Sequence, residues 1–428
     1  MELIKKFWTA RVSFHHSENP VLLKDYSNRP HALPDLCKRL TPSYHPSFLL
    51  FSGHLQTIWT TRTQANAAIR YKRQVFESEN DLYPGTFAVD FVVRGEGQDN
   101  DDDGGGGKDS SLPPQTTYHR AGEPLGSADS RPMVIVLHGV SGGSHEAYVK
   151  QVLAPLVQAA DGGGGWEACV IISRGCGGTR LTSRMLYNAR STWDLQQTVA
   201  FLRRRFPNRP LYAIGFSIGA NILVNYLGEE GDRCGIRAAV VCSNPWNLEV
   251  VDHALRRSWM GLNVYSHAMA RGMKEIVKRH AEMILKNRRI AAAAVEGIRY
   301  FFDFDRDASS VDAVLAVRVP LFAINAEDDP ISHYEALPFE EFQNNPYTVL
   351  CTTSCGGHIG WFESGEQRWF TKPVVSFLKA LHDDIDWAKD FTFASQVPNP
   401  ANSFEYNPVR RRMQPATSVY FPGQAEPI

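Results

Sequence analysis

The sequence has 428 residues, of which 43% are hydrophobic and 21% are charged, and its formal net charge is -1. A chain of this length and apolar content can bury a large core, and α/β folds with insertions reach this size as one unit. The balanced charge gives no global reason to expect a nucleic-acid partner.

Cysteine usage and hydropathy indicate an intracellular protein. Seven cysteines occur without C-x-x-C spacing, several of them in apolar runs, which favours reduced thiols in a core. The first residues lack the apolar run of a signal peptide, and no run of about eighteen apolar residues follows. We expect a cytoplasmic protein or one attached peripherally to an organelle or a lipid-droplet surface.

The N-terminal part contains a wrapping segment and a hairpin. Residues 1–50 are rich in Pro, His and aromatic residues without a clear period, and we expect them to wrap around a domain of residues 51–390. The chemistry of residues 51–59 cannot be assigned from first principles, and we interpret His54 as structural. Residues 71–77 and 86–93 alternate polar and apolar side chains around a Tyr-Pro-Gly turn, which predicts a hairpin.

Residues 95–132 have a different composition, with the run DNDDDGGGG followed by Ser, Pro and Gly. Such a stretch cannot bury enough apolar surface to offset its ordering entropy, so we expect a disordered surface insertion. We interpret its acidic run as solvated, and its glycines match no phosphate loop because no G-K-[ST] follows. We therefore expect neither a metal nor a cofactor.

A repeated strand, loop and helix pattern begins at Met133. It predicts an α/β fold with a mostly parallel central sheet and helices on both faces. Residues 247–312 interrupt the pattern and are predicted to form a helical cap, and residues 391–428 are expected to form a tail. The expected strands cover residues 133–137, 168–173, 211–214, 236–243, 319–325 and 347–352, and the expected helices cover 145–159, 192–206, 333–343 and 366–382.

The predicted cap is basic, since ten Lys and Arg accompany four Asp and Glu in residues 251–300. We favour an amphipathic cap with a solvated polar face. The alternative is a lid that closes over an acyl chain and attracts anionic head groups or CoA phosphates. A peripheral contact with lipid therefore stays open.

Two serines lie in G-x-S-x-G motifs. Ser217 lies between an apolar strand and a run of helix-forming residues, the context in which this motif forms a nucleophile elbow. Its glycines are expected because a Cβ at either flank would crowd the strand and the helix. Ser141 also follows a strand, but two glycines come directly after it and disfavour a helix there. We favour Ser217 as the nucleophile.

An acid and a histidine supply what a serine nucleophile needs. A neutral imidazole removes the hydroxyl proton, and a buried carboxylate fixes the tautomer of the imidazole and stabilises the imidazolium. Asp329 and His358 each follow a predicted strand, and the order serine, aspartate, histidine is that of α/β-hydrolases. Asp328 competes for the acid role, and we favour Asp329 because a small residue, Ala326, stands three positions before it.

An oxyanion hole requires two N–H groups directed at the tetrahedral intermediate. We predict that one is the amide of Ile218, directly after the nucleophile. The other is expected from the loop at residues 138–142, and the Val140 amide is our choice. His138 is interpreted as a residue that holds this loop.

Several motifs together resemble those of one α/β-hydrolase subfamily: LHGVSGGSHEAYV, RGCGGTRLTSRMLYNARSTWDL, GFSIGANILVNYLG, NPWNL, AEDDPIS, GGHIGW and the early GHLQTIW. The chain resembles the medium-chain fatty-acid ethyl ester synthase/esterases and related phospholipases over roughly residues 51–382. The resemblance implies a serine hydrolase that acts on acyl esters, and fungal members of that subfamily also transfer medium-chain acyl groups from CoA to ethanol.

We therefore expect a serine hydrolase or acyltransferase that forms an acyl-enzyme from an acyl ester or acyl-CoA and passes the acyl group to water or an alcohol. Within the enzyme class, a phospholipase or an ester hydrolase specific for a secondary metabolite is the alternative. A catalytically silent α/β-hydrolase that binds a ligand or partner is the alternative outside it.

Overall fold

The structure is a computed structural model that describes residues 9–63, 68–93, 112–120, 122–158, 165–286, 308–364, 367–393, 404–407 and 412–415. The strands, in chain order, are β1 (Val12–His16), β2 (Val21–Lys24), β3 (Pro30–Ala32), β4 (Arg70–Glu77), β5 (Thr86–Val93), β6 (Thr116–Tyr118), β7 (Met133–Leu137), β8 (Glu167–Ile172), β9 (Leu211–Phe216), β10 (Ala238–Cys242), β11 (Leu321–Ala326), β12 (Thr348–Thr353), β13 (Thr392–Phe393), β14 (Phe404–Asn407) and β15 (Arg412–Pro415).

The α-helices, in chain order, are α1 (Leu33–Leu40), α2 (Gly53–Thr60), α3 (Ala147–Val157), α4 (Thr192–Arg205), α5 (Ile218–Glu230), α6 (Leu248–Arg257), α7 (Ser266–Arg279), α8 (Ala281–Ile284), α9 (Phe339–Asn344) and α10 (Thr371–Asp383). Short 3-10 turns lie at Gly231–Arg233, Asp312–Ala316 and Tyr334–Ala336, and a π-helical turn spans Gly261–Tyr265.

The main sheet has the order β1-β12-β11-β10-β9-β7-β8-β5-β4-β6. The strands from β12 to β8 in this order pair in parallel, while β1, β5 and β4 pair antiparallel with their neighbours towards the centre. Side chains of β7 alternate between two hydrophobic cores, one on each face of the sheet. The first core includes α3 and α10, and the second includes α4 and α5. The predicted α/β-hydrolase fold, with a mostly parallel sheet and helices on both faces, is therefore confirmed.

The N-terminal segment is more regular than its sequence suggests. β1 pairs with the edge strand β12, and β2 forms a small sheet with β3 and with β13 from the far end of the chain. The predicted hairpin is confirmed as β4 and β5. The unassigned segment 51–59 contains most of helix α2, whose N-cap Ser52 accepts a hydrogen bond from the amide of Leu55.

The expectation of disorder throughout residues 95–132 is wrong for its second half. Residues 94–111 and 121 lie outside the described residues, but β6 pairs in parallel with β4 at the edge of the main sheet. Farther along, Asp129 accepts hydrogen bonds from the guanidinium of Arg209, with the shorter at 2.7 Å. Backbone pairing and a buried arginine thus order residues that have few aliphatic side chains.

Two predicted helices have different boundaries. Residues 333–343 form a 3-10 turn and the short helix α9 instead of one helix, because Pro338 separates them and cannot donate a backbone hydrogen bond. Helix α10 begins at Thr371, five residues later than predicted. The predicted cap is helical from α6 to α8, and residues 287–307 lie outside the described residues. In the predicted tail, β13 pairs with β2 of the N-terminal segment, and β14 pairs with β15.

Candidate active site

Ser217 occupies the sharp turn between β9 and α5. Its backbone has φ 51° and ψ -121°, a conformation that is strained for a residue with a Cβ. A Cβ on Gly215 would lie 2.6 Å from the Cα of Ala220, and a Cβ on Gly219 would lie 2.5 Å from the carbonyl oxygen of His138. The flanking glycines are therefore required by close packing of the helix against the neighbouring backbone, as the sequence predicted.

The side chains of Ser217, His358 and Asp329 form one hydrogen-bonded chain. Ser217 Oγ lies 2.8 Å from His358 Nε2, and His358 Nδ1 lies 2.9 Å from Asp329 Oδ2. Because a carboxylate only accepts hydrogen bonds, Nδ1 carries the proton and Nε2 is free to accept from the serine hydroxyl. Asp329 also accepts hydrogen bonds from the amides of Ile331 and Ser332. All three side chains are buried or nearly so.

Asp328, the competing acid, has different partners. Its carboxylate accepts a hydrogen bond from the amide of Gly357 at 3.0 Å, in the loop that carries the histidine. Burial, and to a smaller extent the nearby charge of Asp329, raises the pKa of Asp328 to about 6. The carbonyl oxygen of Asp328 also packs on α2, since a Cβ on Gly53 would lie 1.9 Å from it. Asp328 thus connects the histidine loop to the N-terminal helix.

The loop around His358 is braced by α2, a contact that sequence reasoning missed. The His358 amide donates to Thr57 Oγ1 at 2.9 Å, and the Phe362 amide donates to Gln56 Oε1 at 2.7 Å. Glycines near His358 do not loosen the loop: a Cβ on Gly357 would lie 2.4 Å from the carbonyl oxygen of Gly53. The only signal in the sequence was the polar pair Gln56-Thr57 between the apolar residues Leu55 and Ile58.

Ser243, at the end of β10, is a second unpredicted support. Its Oγ accepts a hydrogen bond from the Ile359 amide, and its carbonyl oxygen accepts one from Ser332 Oγ. Ser332 Oγ in turn lies 3.4 Å from His358 Nδ1. The end of β10 therefore holds both the acid loop and the histidine loop.

The loop after β7 lies beside Ser217 and leaves the Val140 amide available. The Gly139 amide donates to Tyr148 Oη, the Ser141 amide to Tyr187 Oη, and the Gly142 amide to the Gly139 carbonyl. Within the described residues, the amides of Val140 and Ile218 donate to no protein acceptor. A Cβ on Gly139 would lie 3.6 Å from Ser217 Cβ, so the loop is adjacent to the serine.

His138 holds this loop, as predicted. Its Nδ1 lies 2.7 Å from the Gly139 carbonyl, and its Nε2 accepts a hydrogen bond from the Ser173 amide at 3.1 Å. Burial lowers the pKa of His138 to about 4, which keeps the ring neutral near pH 7. The Oγ of Ser141, the serine of the second G-x-S-x-G motif, is buried and has no hydrogen-bond partner in the described structure.

The cap packs on the loop after β7 and on α2. A Cβ on Gly272 of α7 would lie 2.5 Å from Ser141 Oγ. Tyr265 Oη lies 2.6 Å from His54 Nδ1, and the two rings stack. Burial raises the pKa of Tyr265 to about 12, and the charge of Asp329 adds to this. The cap therefore lies close to Asp329 as well as to the loop after β7.

A metal site requires a cluster of ligands, and a membrane span requires a long apolar helix. Across the described residues, no cluster of three or more His, Cys, Asp or Glu side chains could hold a metal ion. The helices in the same part of the chain are all too short or too polar to span a bilayer.

Comparison with known proteins agrees with the fold and the motifs. The family described as alpha/beta hydrolase fold matches residues 132–291. The monoacylglycerol lipase of Saccharomyces cerevisiae is 34% identical over 386 residues, which are 82% of this chain and 83% of the lipase. Medium-chain fatty acid ethyl ester synthase/esterase 2 of the same yeast is 29% identical over 62% of this chain and 66% of its own length. Phospholipase ABHD3 of Homo sapiens is 24% identical over 89% of this chain and 90% of its own length.

The chain belongs to the α/β-hydrolase family, and the resemblance to the branch with these lipases, esterases and phospholipases is confirmed. These relatives support ester hydrolysis as the class of reaction, with a small lipid or ester and water as the reactants.

Proposed function

We propose that this protein is a serine hydrolase that cleaves fatty acyl esters through an acyl-enzyme on Ser217. The single observation that carries the proposal is the hydrogen-bonded chain from Ser217 Oγ through His358 to Asp329. Such a chain makes a serine hydroxyl nucleophilic near neutral pH because the imidazole accepts its proton.

In the acylation step, Ser217 Oγ forms a bond to the acyl carbonyl carbon while its proton moves to His358 Nε2. The amides of Val140 and Ile218 donate hydrogen bonds to the oxyanion, since both lack a protein acceptor in the described structure. Ile218 is also the first residue of α5, where the helix dipole favours negative charge. The intermediate collapses, and the departing alcohol takes the proton from Nε2.

Deacylation repeats these steps with an incoming acceptor. Water or an alcohol attacks the acyl carbonyl, Nε2 takes its proton, and Ser217 leaves with that proton restored. Asp329 keeps Nδ1 protonated throughout and stabilises the imidazolium. Attack by water gives hydrolysis, and attack by an alcohol gives acyl transfer, including transfer from an acyl-CoA.

For the substrate class we propose medium-chain or longer acyl esters of glycerol or of simple alcohols. The yeast relatives named monoacylglycerol lipase and medium-chain fatty acid ethyl ester synthase/esterase 2 support this choice. The human relative named phospholipase supports a phospholipid ester as the second candidate. Hydrolysis of monoacylglycerols and of phosphatidylcholines of matched chain length would separate the two candidates.

A fluorophosphonate probe tests the proposal, because it labels only an activated serine. We expect wild-type protein to be labelled and to hydrolyse p-nitrophenyl esters. In Ser217→Ala we expect no labelling, and a rate of hydrolysis that is at least about 1000-fold lower. The matched control is Ser141→Ala, the serine of the second G-x-S-x-G motif, which should keep the labelling.

Labelling that disappears in Ser141→Ala but persists in Ser217→Ala would assign the nucleophile to the other motif. Wild-type protein that is folded yet neither labelled nor active would favour the silent, ligand-binding alternative.

A further inference from the structure

Helix α2 and the turn before it carry a group of exposed apolar side chains. Phe48 and Leu49 are 75% and 78% exposed at the tip of a turn that is closed by a hydrogen bond from the Leu50 amide to the Ser47 carbonyl. Three more exposed apolar residues follow in the next ten positions. We call the five residues the 48–59 patch, and they are Phe48, Leu49, Phe51, Ile58 and Trp59. Single exposed apolar residues are common on proteins, whereas a group of five within twelve positions marks a contact surface.

The two faces of α2 have opposite roles. The inner face carries Gln56 and Thr57, which bond to the loop of His358. Thr60 Oγ1, on the same face, lies 3.4 Å from the carbonyl oxygens of His358 and Ile359. The outer face carries Ile58 and Trp59, which are partly exposed. A single two-turn helix therefore connects the patch to the proposed general base through one layer of side chains.

The chain segment that contains the patch is basic. No Asp or Glu occurs in the sequence between Asp35 and Glu77, whereas Lys38, Arg39 and Arg62 do. On helix α7 of the cap, which follows the turn that contacts α2, exposed residues include Arg271, Lys274, Lys278 and Arg279, with Glu275 as the acid among them. Apolar and aromatic side chains flanked by basic residues match a lipid surface with anionic head groups.

The cap contacts the outer side of α2. His54, on the outer side of α2, contacts Tyr265 in the π-helical turn of the cap. Trp259, two residues before that turn, is 74% exposed. The patch and the cap thus meet at the stacked rings of His54 and Tyr265, so both can contact one lipid surface.

We propose that the 48–59 patch docks the protein on an anionic phospholipid surface and faces the active site towards it. The inference rests on the proposed function, because docking on lipid brings the enzyme to acyl esters of low solubility, which reside there. Its physical basis is independent of catalysis. Transfer of exposed Phe, Leu and Trp side chains from water into the interface is favourable, and Trp is suited to the boundary between acyl chains and head groups.

A lipid surface fits these residues better than a protein partner. The patch consists of a turn and the outer side of a short helix, and its five members are apolar side chains, of which only the Trp59 indole could fix the register of a partner by a hydrogen bond. The fluid acyl region of a bilayer requires no such shape match.

Co-flotation with vesicles tests the docking directly. The full chain is mixed with phosphatidylcholine vesicles that contain phosphatidylserine, and the floated fraction gives a partition coefficient. The test variant is Phe48→Ser/Leu49→Ser, and we expect it to partition at least about 10-fold more weakly than wild type. The matched control is Leu82→Ser, because Leu82 is also 78% exposed but lies in the hairpin turn between β4 and β5. This control should float like wild type.

Two further measurements distinguish a failure of the docking proposal from a failure of the proposed function. Ser217→Ala should float like wild type, so a protein without esterase activity still reports on docking. The ratio of hydrolysis of a vesicle-embedded ester to hydrolysis of p-nitrophenyl acetate should fall about 10-fold in the double variant. Circular dichroism confirms that the variant is folded.

Equal flotation of wild type and the double variant would overturn the proposal. So would wild-type protein that stays unbound at low salt. If wild type does not float and the double variant changes the molar mass in solution, the patch is an interface between two copies of this chain.

Discussion

Adjacent carboxylates in the loop after β11 have different environments. Asp329 accepts hydrogen bonds from two amides and from His358, so its negative charge is shared among three donors. Asp328 is also buried, but its described hydrogen bonds are to backbone amides of the histidine loop and of α2. Their separate positions decide which carboxylate can orient the imidazole and which can only hold its loop.

The pKa of Asp328 predicts a pH dependence of stability. Burial raises this pKa from its ordinary 3.8 to about 6, so the folded state binds the proton more tightly than the unfolded state does. The resulting stabilisation is fully present below pH 3.8 and is lost as the pH rises through about 6. Between pH 4.5 and 6.5 it should lower the free energy of unfolding by on the order of 2 kcal/mol.

Urea unfolding of wild type and Asp328→Asn at these two pH values checks this prediction. The variant should lack this component of the pH dependence, and the exposed Asp384→Asn serves as a control. An identical pH dependence in wild type and Asp328→Asn would contradict it.

Among single residues, the sequence predicted the three side chains that the structure joins by hydrogen bonds, but it did not predict the residues that support them. Ser217, Asp329 and His358 were selected because each follows a strand in a recognisable order, and the three side chains are hydrogen-bonded to one another. Thr57 was missed because it meets His358 only through a contact 301 residues apart in the chain. A hydroxyl in a short helix has no local pattern that predicts such a partner.

At the scale of elements, the strand, turn and helix around Ser217 depend on how closely α5 approaches β7. A Cβ on Gly219 would lie 2.5 Å from the His138 carbonyl oxygen and 2.6 Å from that of Leu137. The same helix has a second crowded glycine, Gly228, where a Cβ would lie 2.6 Å from the Ala313 carbonyl oxygen. The two positions have similar crowding, but only the first adjoins the proposed oxyanion hole.

We therefore predict a paired result for Gly219→Ala and Gly228→Ala. Both variants should lose roughly 1–3 kcal/mol of stability, because backbone atoms must move to admit the methyl group. Only Gly219→Ala should also lower kcat, by about 10-fold or more, since it moves the Ile218 amide relative to the Val140 amide. Thermal unfolding and kcat measured well below the transition separate the two effects, and an equal fall in kcat for both variants would contradict the prediction.

Element types were predicted better than element ends. The parallel strands are continuous apolar runs buried on both faces, which makes their type clear in the sequence. The region 333–343 was predicted as one helix because its period suits a helix, yet Pro338 separates two shorter turns. Pairing of β6 with β4 was also missed, because three polar residues acquire strand geometry only from a neighbouring strand.

For the whole molecule, the N-terminal segment completes the sheet and supports the site. β1 covers the edge of β12. At the end of this pair the Arg11 amide donates to Ser354 Oγ, and the Ser354 amide donates to the Arg11 carbonyl. Farther along, α2 contacts the loop of His358. A segment with an irregular composition thus links a sheet edge and the loop of His358.

Removal of residues 1–17 should destabilise the protein. The truncated chain exposes the backbone of β12 and loses one strand of hydrogen bonds, for a loss of about 3–5 kcal/mol, and the free edge should promote aggregation. Differential scanning fluorimetry and light scattering check this outcome. An unchanged unfolding temperature and a monodisperse solution would show that the edge strand is dispensable.

The pairing of β1 with β12 also has a consequence for biosynthesis. The two strands are separated by more than 300 positions, so β1 has no partner until β12 has left the ribosome. The loop of His358 follows β12 and rests on α2, so the proposed triad should assemble only after this late loop has left the ribosome.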